Sequence, residues 1–238
     1  ARHEGDKRRR AATERAARER KERIDEALRQ HERLSKQREK RKKGDGEKTR
    51  VSTTDPDARK MKMANGGYDP AYNVQFASDA DSRMIVGVDV TNAGTDGGEL
   101  APMHEKVSSD YGKTPKKVLV DSAYATKDGV TAVESAGTKV VSTVPRSEQL
   151  EKHGKDPYAR QKGDSDEYAN FRARMAEPEY QELYKLRPSI AEFPNADCRN
   201  RNLRQFRVRG LLKAKAVALW HALAFNFTRM LNLGVLAD

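Results

Sequence analysis

The sequence predicts an α/β protein in which a mixed sheet with flanking helices is accompanied by a long, charged N-terminal helix. Three patterns lead to this prediction. They are a stretch of charged helix formers without Gly or Pro, short runs of β-branched residues, and apolar residues at helical spacing after these runs. Beyond residue 70 the elements follow the order hairpin, helix, strand, helix, strand, which is typical of an α/β sheet.

Residues 8–43 predict one exposed helix because opposite charges recur three or four residues apart. Too few apolar residues lie along it for a firm coiled coil, which favours a solvated spacer helix or a helical hairpin over a dimer zipper. These apolar residues are Ala17, Ile24, Leu28 and Leu34. A basic, Gly-containing linker follows, and we expect residues 1–50 to form a charged helical spacer that includes it.

Residues 51–145 carry the predicted sheet. Val118, Leu119 and Val120 lack polar alternation and predict a strand buried on both faces. Around it the patterns predict a hairpin over 72–77 and 84–90, a helix over 98–111 with Pro102 in its first turn, a helix over 127–136 closed by Gly137, and a strand over 139–144.

The C-terminal part contains a segment without clear periodicity and a helical region. Residues 146–178 are charged and interrupted by Pro and Gly, which predicts a low-order insertion. Residues 179–238 predict helices, with a kink or a helix start at Pro188 and an arginine-rich run ended by Gly210. The last helix is predicted to cover the core with Val217, Trp220, Leu223, Ala224, Phe227, Met230 and Leu231.

The charge is segregated along the chain. The formal net charge is +11, and residues 1–50 contain 20 Lys/Arg against 11 Asp/Glu, whereas residues 51–180 contain 17 against 21. Residues 181–215 are basic again, with 9 against 3. An acidic centre between basic flanks is typical of a nucleic-acid enzyme with a carboxylate metal site, because phosphates attract cations and divalent metals bind carboxylates.

Several functional classes are disfavoured by the composition. The single Cys198 excludes an internal disulfide and a cysteine-rich zinc site, and the five histidines lack metal-ligand spacing, which argues against a zinc hydrolase. No apolar run reaches 18 residues, so neither a membrane span nor export is indicated.

Asp121 and Glu192 are the candidate catalytic carboxylates. Asp121 ends the Val-Leu-Val strand, at the edge where open α/β sheets bind ligands. Local sequence leaves open the alternative that Asp121 only caps the following helix, whose start is marked by Thr126 and Asp128. Glu192 lies on a predicted helix with cations one and two turns away.

Five stretches together resemble the C-terminal part of bacterial insertion-sequence transposases of the DDE type. They are TDPDARKMK, GYDPAYNVQFASD, IVGVDVTNAGTD, KVLVDSAY and the run from YKLRPSIAEF to ALAFN, and they span residues 51–233. The most specific are Val120–Tyr124 and the spacing of Tyr184, Arg187, Glu192 and Arg199. Ala123 stands where the family more often has Gly, Arg199 where Lys is commoner, and Pro188 where a basic or small residue is commoner.

The resemblance implies an RNase H-like fold, here incomplete, in which three carboxylates bind two Mg²⁺ or Mn²⁺ ions and cut and join DNA. It implies that Asp121 and Glu192 are metal ligands and catalytic residues. The DNA contacts it implies are Tyr184, Arg187, Arg199, Arg201 and Arg204. It further implies a homodimer on transposon ends and target DNA in the bacterial cytoplasm, associated with the nucleoid when bound and not with a membrane.

The first carboxylate of that family precedes the charged insertion, in a hydrophobic-Asp-Gly-Thr context that residues 1–238 do not contain. Asp45 has no strand before it, and Asp55 and Asp57 fall in a turn. We therefore expect the chain to be the C-terminal part of a longer transposase, inactive on its own. One alternative is a non-catalytic basic nucleic-acid-binding module, for which contacts to phosphates alone would suffice. A second alternative is a structural coiled-coil protein.

Overall fold

The computed structural model describes residues 2–63 and 65–235, and the side chains of residues 5–63 and 65–235. The chain divides into two compact units. Unit 1 comprises Ala1–Asn73, Asn92–Gly94 and Arg207–Ala214, and unit 2 comprises Val74–Thr91, Thr95–Phe206 and Lys215–Asp238. Each unit is therefore built from segments that are not continuous in sequence.

Unit 1 begins with the long charged helix α1 (Arg2–Arg41), which confirms the predicted N-terminal helix and shows one continuous helix instead of a helical hairpin. Glu39 closes the turn after it by accepting hydrogen bonds from the backbone N–H groups of Gly44 and Gly46. A 3₁₀ turn, Gly46–Lys48, leads towards the antiparallel pair β1 (Arg59–Lys62) and β2 (Tyr68–Ala71). This pair was not predicted, because four-residue strands with two lysines give little apolar signal.

Asp55 and Asp57 tie two distant segments of unit 1 together. The Asp55 carboxylate accepts hydrogen bonds from the Tyr72 hydroxyl at 2.8 Å and from the Gly210 N–H at 3.2 Å. Oδ2 of Asp57 accepts one from the N–H of Leu211 at 3.0 Å, at the first residue of α8 (Leu211–Asn232). We call Asp55 and Asp57 the carboxylate clamp; it satisfies backbone donors that the start of a helix leaves without an intrahelical partner.

Unit 2 contains two further strand pairs. β3 (Asn73–Ser78) pairs with β4 (Ile85–Thr91), and the six-residue connection between them requires an antiparallel arrangement. β5 (Lys117–Leu119) and β6 (Lys139–Val141) are parallel, with Val118 opposite Val140. The predicted hairpin and both later strands are confirmed to within three residues at each end.

The expected single mixed sheet is wrong in one respect. The α/β class is confirmed, but the described strands form three separate two-stranded sheets. β5 is paired with β6 along one edge, and Val118 and Leu119 are only half-buried, so the prediction of a strand buried on both faces is also wrong. β6 is the buried member of this pair, with Val140 and Val141 fully inaccessible.

Helices α2 (Leu100–Tyr111) and α3 (Lys127–Ser135) agree with the predicted helices, and Pro102 lies in the first turn of α2. Gly137 has φ +89° and ends α3 in the left-handed conformation that glycine adopts without strain. These helices pack around β6 on one apolar core. Its buried residues are Leu100, Ala125, Val130, Val133, Val140, Val141, Val144, Tyr168, Phe171, Met175 and Tyr180.

The prediction that residues 146–178 are of low order is wrong. The segment contains α4 (Ser147–Lys152) and α5 (Asp166–Met175), and α5 buries Tyr168, Phe171 and Met175 in the core. The apolar residues of α5 do follow helical spacing, but flanking charges, Gly and Pro conceal this pattern in a wider window. An ion pair at 2.8 Å between the buried Asp164 and Arg172 fixes the entry to α5.

The predicted core face of α8 is also wrong. The buried positions are Ala214, Ala218, Ala222 and Phe225, whereas Trp220 is 69% exposed and Leu223, Phe227 and Leu231 are exposed as well. Both sides of α8 are apolar, so spacing could not distinguish them, and the small alanines permit the closer backbone approach. Within the described residues, no helix has the length and apolar character that crossing a membrane requires.

Candidate active site

Asp121 follows β5 in a tight turn, in which the Tyr124 N–H donates to the Asp121 carbonyl at 3.0 Å. The residue that caps α3 is Thr126, whose hydroxyl accepts a hydrogen bond from the Gly129 N–H at 3.2 Å. The capping alternative for Asp121 is therefore wrong. Its carboxylate is 49% exposed and lies beyond the carboxyl end of the strand.

Glu192 ends a π-helical turn, Pro188–Glu192, between α6 (Pro178–Tyr184) and α7 (Phe193–Asn200). The kink or helix start expected at Pro188 is therefore a wider, π-helical turn that begins at this residue. Residues five apart are on opposite sides of an α-helix but on the same side of a π-helix. This turn consequently brings the side chain of Glu192 to that of Arg187.

Arg187 bridges the two carboxylates. Its Nη2 lies 2.9 Å from Oδ2 of Asp121, and its Nη1 lies 3.0 Å from Oε1 of Glu192. The Arg187 side chain is 16% exposed, whereas Glu192 is 64% exposed. Tyr184, one turn earlier, is half-buried and packs against the apolar core. One guanidinium thus links the two candidate carboxylates.

The charge of Arg187 keeps Asp121 ionised. Partial burial of Asp121 opposes its ionisation, but the hydrogen bond and positive charge of Arg187 outweigh this effect, so the pKa of the Asp121 carboxyl is lowered. Ser122 contributes a weaker hydrogen bond, with its Oγ 3.3 Å from Oδ1 of Asp121. At neutral pH the site therefore presents a carboxylate able to coordinate a cation.

Replacing Arg187 with Ala is expected to raise the pKa of Asp121, because the group that stabilises its charge is removed. A carboxyl group whose pKa is lowered by folding stabilises the folded state at pH values above its unfolded-state pKa. This contribution to stability disappears as the pH falls through the folded-state pKa. The stability difference between wild type and R187A should therefore narrow on acidification. Carbon-13 NMR titration of the Asp121 carboxyl measures the shift, and R199A is the matched control. An unchanged Asp121 pKa in R187A would contradict the bridge.

The structure adds polar residues that the sequence did not single out as site residues. The Tyr124 hydroxyl donates to the side-chain carbonyl of Gln75, which is buried on β3, and Nε2 of Gln75 donates to Asp96 at 2.9 Å. Burial, followed by the charge of Asp96, raises the pKa of Tyr124 to about 12. The sequence feature that could have identified Tyr124 as a site residue was its position in the Val-Asp-Ser-Ala-Tyr stretch. These contacts anchor the turn that carries Asp121.

The other predicted DNA contacts lie on and after α7. Arg199, Arg201 and Arg204 are exposed. Arg201 forms an ion pair with Asp197 at 2.6 Å, and Arg204 donates to the Arg199 carbonyl at 3.2 Å. No contact between these arginines and the two carboxylates is seen among the described residues. Their proposed role is therefore separate from the bridge made by Arg187.

Asp121 and Glu192 provide hard oxygen donors, the kind that Mg²⁺ and Mn²⁺ prefer. The donor type therefore fits a divalent metal. Across residues 2–63 and 65–235, however, no three His, Cys, Asp or Glu side chains converge as a metal site would require. Asp55 and Asp57 are engaged in the carboxylate clamp of unit 1. The described side chains thus bring two candidate carboxylates, Asp121 and Glu192, together through Arg187.

The structure defines an α/β protein with an acidic, arginine-bridged site beyond the end of a strand. The family model described as the Transposase DDE domain matches residues 44–227. The chain therefore belongs to the transposase DDE domain family, which confirms the resemblance drawn from the sequence. Neither a curated protein nor a solved structure matches the chain.

Proposed function

We propose that the chain is the C-terminal part of a transposase catalytic domain, RNase H-like in fold, that cuts and joins DNA at insertion-sequence ends with Mg²⁺ or Mn²⁺. The main support is the pairing of Asp121 and Glu192 on one guanidinium. Arg187 is 66 residues from Asp121 in sequence, and the two are joined by a direct ion pair. Acidic groups from separate elements that converge at a strand end are what a phosphodiester-cleaving metal site requires.

Asp121 and Glu192 would hold the metal. In such sites, two bound divalent ions activate the attacking oxygen and stabilise the leaving oxygen of a phosphodiester. Arg187 offsets the negative charge of the two carboxylates, and with a metal bound its guanidinium would position the scissile phosphate through paired hydrogen bonds. The exposed arginines Arg199, Arg201 and Arg204, together with Tyr184, bind the DNA near the cleavage point.

The third carboxylate is proposed to come from a strand N-terminal to α1 in the parent protein. Residues 1–238 contain no hydrophobic-Asp-Gly-Thr stretch, and the described carboxylates leave the site with two members. β3 and β5 are each paired with one described strand only, so each has an edge with which a further strand could pair. We further propose that two copies act together on two transposon ends.

The expected result is that Mn²⁺-dependent nicking of labelled transposon-end DNA requires an upstream extension. A version extended through the presumed first strand should nick the DNA, and residues 1–238 alone should not, because two carboxylates hold metal weakly. The measurement is gel separation of nicked from intact strands, with EDTA as the control for metal dependence.

Two outcomes contradict parts of this proposal. Cleavage by residues 1–238 alone, dependent on Asp121, would show that the third ligand lies within this chain and would return Asp55 and Asp57 to consideration. If neither form nicks DNA or binds Mn²⁺ while both bind DNA, the chain is a non-catalytic basic nucleic-acid-binding module.

A further inference from the structure

Unit 1 contains a basic cleft that is separate from the carboxylate site. It has a volume of about 600 Å³ and lies between the last turns of α1, the segment after them and the β1–β2 pair. Six of its lining residues are cations and none is acidic. We call these six the basic cleft residues: Arg38, Arg41, Lys48, Arg50, Arg59 and Lys60.

The positive charge of this cleft is poorly compensated. Within the described part of the chain, the one ion pair made by a basic cleft residue joins Lys48 to Asp45 at 2.9 Å. Arg38 donates to the Lys48 carbonyl, Arg50 to the Thr49 carbonyl, and Arg59 to the Pro56 carbonyl. Carbonyl groups fix a guanidinium in place without cancelling its charge. Several positive groups are thus held together facing one cavity.

Thr49 in the cleft wall provides an independent observation. It is 2% exposed, and its hydroxyl has no hydrogen-bond partner among the described residues. A buried hydroxyl without a partner is costly, so an acceptor supplied by a bound ligand or a water would stabilise it. A phosphate oxygen is an acceptor of this kind. Tyr68, 59% exposed, adds a flat aromatic face beside Lys60, whose Nζ lies 5.0 Å from the ring centre.

We propose that this cleft binds the phosphodiester backbone of DNA outside the catalytic site, with the basic cleft residues and the Thr49 hydroxyl contacting phosphate oxygens. The proposed contacts of the basic cleft residues are to phosphates, which carry no sequence information, so we expect binding to be independent of sequence. The choice of DNA as the polyanion rests on the proposed transposase function. The cleft then holds the DNA while the carboxylate site acts elsewhere on it.

The test compares two triple variants of the 238-residue chain by fluorescence anisotropy with random-sequence duplex DNA in EDTA. The cleft variant is R38Q/R41Q/K60Q. The control variant, R15Q/R18Q/K21Q, removes the same charge from exposed positions of α1. The cleft variant should bind roughly 10- to 100-fold more weakly at low salt, with its salt slope reduced by about two to three; the control should change little.

Replacing Thr49 with Val supplies a second test. Without the hydroxyl, DNA affinity should fall several-fold, whereas the denaturation midpoint of the free protein should stay equal or rise, since an unpartnered buried polar group is lost. Weaker DNA binding together with a lower midpoint would indicate a structural role for Thr49 and overturn this part of the proposal.

Other outcomes separate the remaining explanations. Equal weakening by both triple variants, or none by either, would overturn the proposal in favour of diffuse charge attraction or binding elsewhere. Release of DNA by millimolar inorganic phosphate at constant ionic strength would identify a small-anion site instead. The same assays in the D121N/E192Q background test the cleft independently of catalysis, because a failure of nicking leaves the anisotropy result intact.

Discussion

Replacing Asp121 with Asn is expected to reduce Mn²⁺-dependent nicking by the upstream-extended chain by about a thousandfold or more. An amide keeps the shape of the side chain but removes the negative charge. A metal ion contributes several kcal/mol to cleavage, and each 1.4 kcal/mol corresponds to a factor of about ten in rate. The rate of strand nicking under single-turnover conditions is the measurement, and E192Q should show a loss of similar size.

The matched control for this substitution is D128N. Asp128 is an exposed carboxylate in the first turn of α3, seven residues beyond Asp121, and it has no contact with Arg187 among the described side chains. D128N should nick at nearly the wild-type rate. A D121N variant that retains more than about a tenth of the activity would remove Asp121 from the proposed metal site, since so small a loss corresponds to less than 1.4 kcal/mol.

Replacing Phe171 with Ala is expected to destabilise unit 2 by about 3–5 kcal/mol, which is a large part of the stability of an ordinary domain. Phe171 is fully buried on α5, and its ring centroid lies 5.4 Å from that of Tyr168. Truncation would leave a cavity inside the core. Urea denaturation followed by far-ultraviolet circular dichroism provides the measurement.

Asn170 is the neighbour of Phe171 on the exposed side of α5, and N170A should change the free energy of unfolding by less than about 0.5 kcal/mol. A cost below about 1 kcal/mol for F171A would mean that α5 is not packed on the core. It would thereby restore the expectation of a low-order insertion.

The sequence identified the elements whose pattern is local. The uninterrupted charges of α1, the Val-Leu-Val run of β5 and the Gly137 end of α3 are each decided by neighbouring residues. The position of Asp121 after a strand followed from the same local reasoning. The contact between Asp121 and Arg187 could not be predicted in this way, because it depends on how α6 and the π-turn pack against the end of the strand.

The predictions for α8 and α5 were wrong because tertiary packing, and not the local sequence pattern, determines which of their residues are buried. α8 has two apolar sides, and packing selected the alanine side over Trp220 and Leu223. α5 is short and surrounded by charges, yet the buried pair of Asp164 and Arg172 places its apolar residues in the core. In the sequence, Pro188 indicated only an interruption of a regular helix. The π-turn itself could not be predicted, because a single turn of this kind produces no periodic pattern of apolar residues.

The carboxylate clamp makes the completion of unit 1 depend on a late part of the chain. Asp55 and Asp57 bind the N–H groups of Gly210 and Leu211, which are about 155 residues later in sequence. Until the ribosome has released that later segment, both carboxylates lack these partners and unit 1 is incomplete. The apolar core around β6, whose residues lie between the two ends of the clamp, can form before that segment is made. Unit 1 cannot be completed until Gly210 and Leu211 have been synthesised.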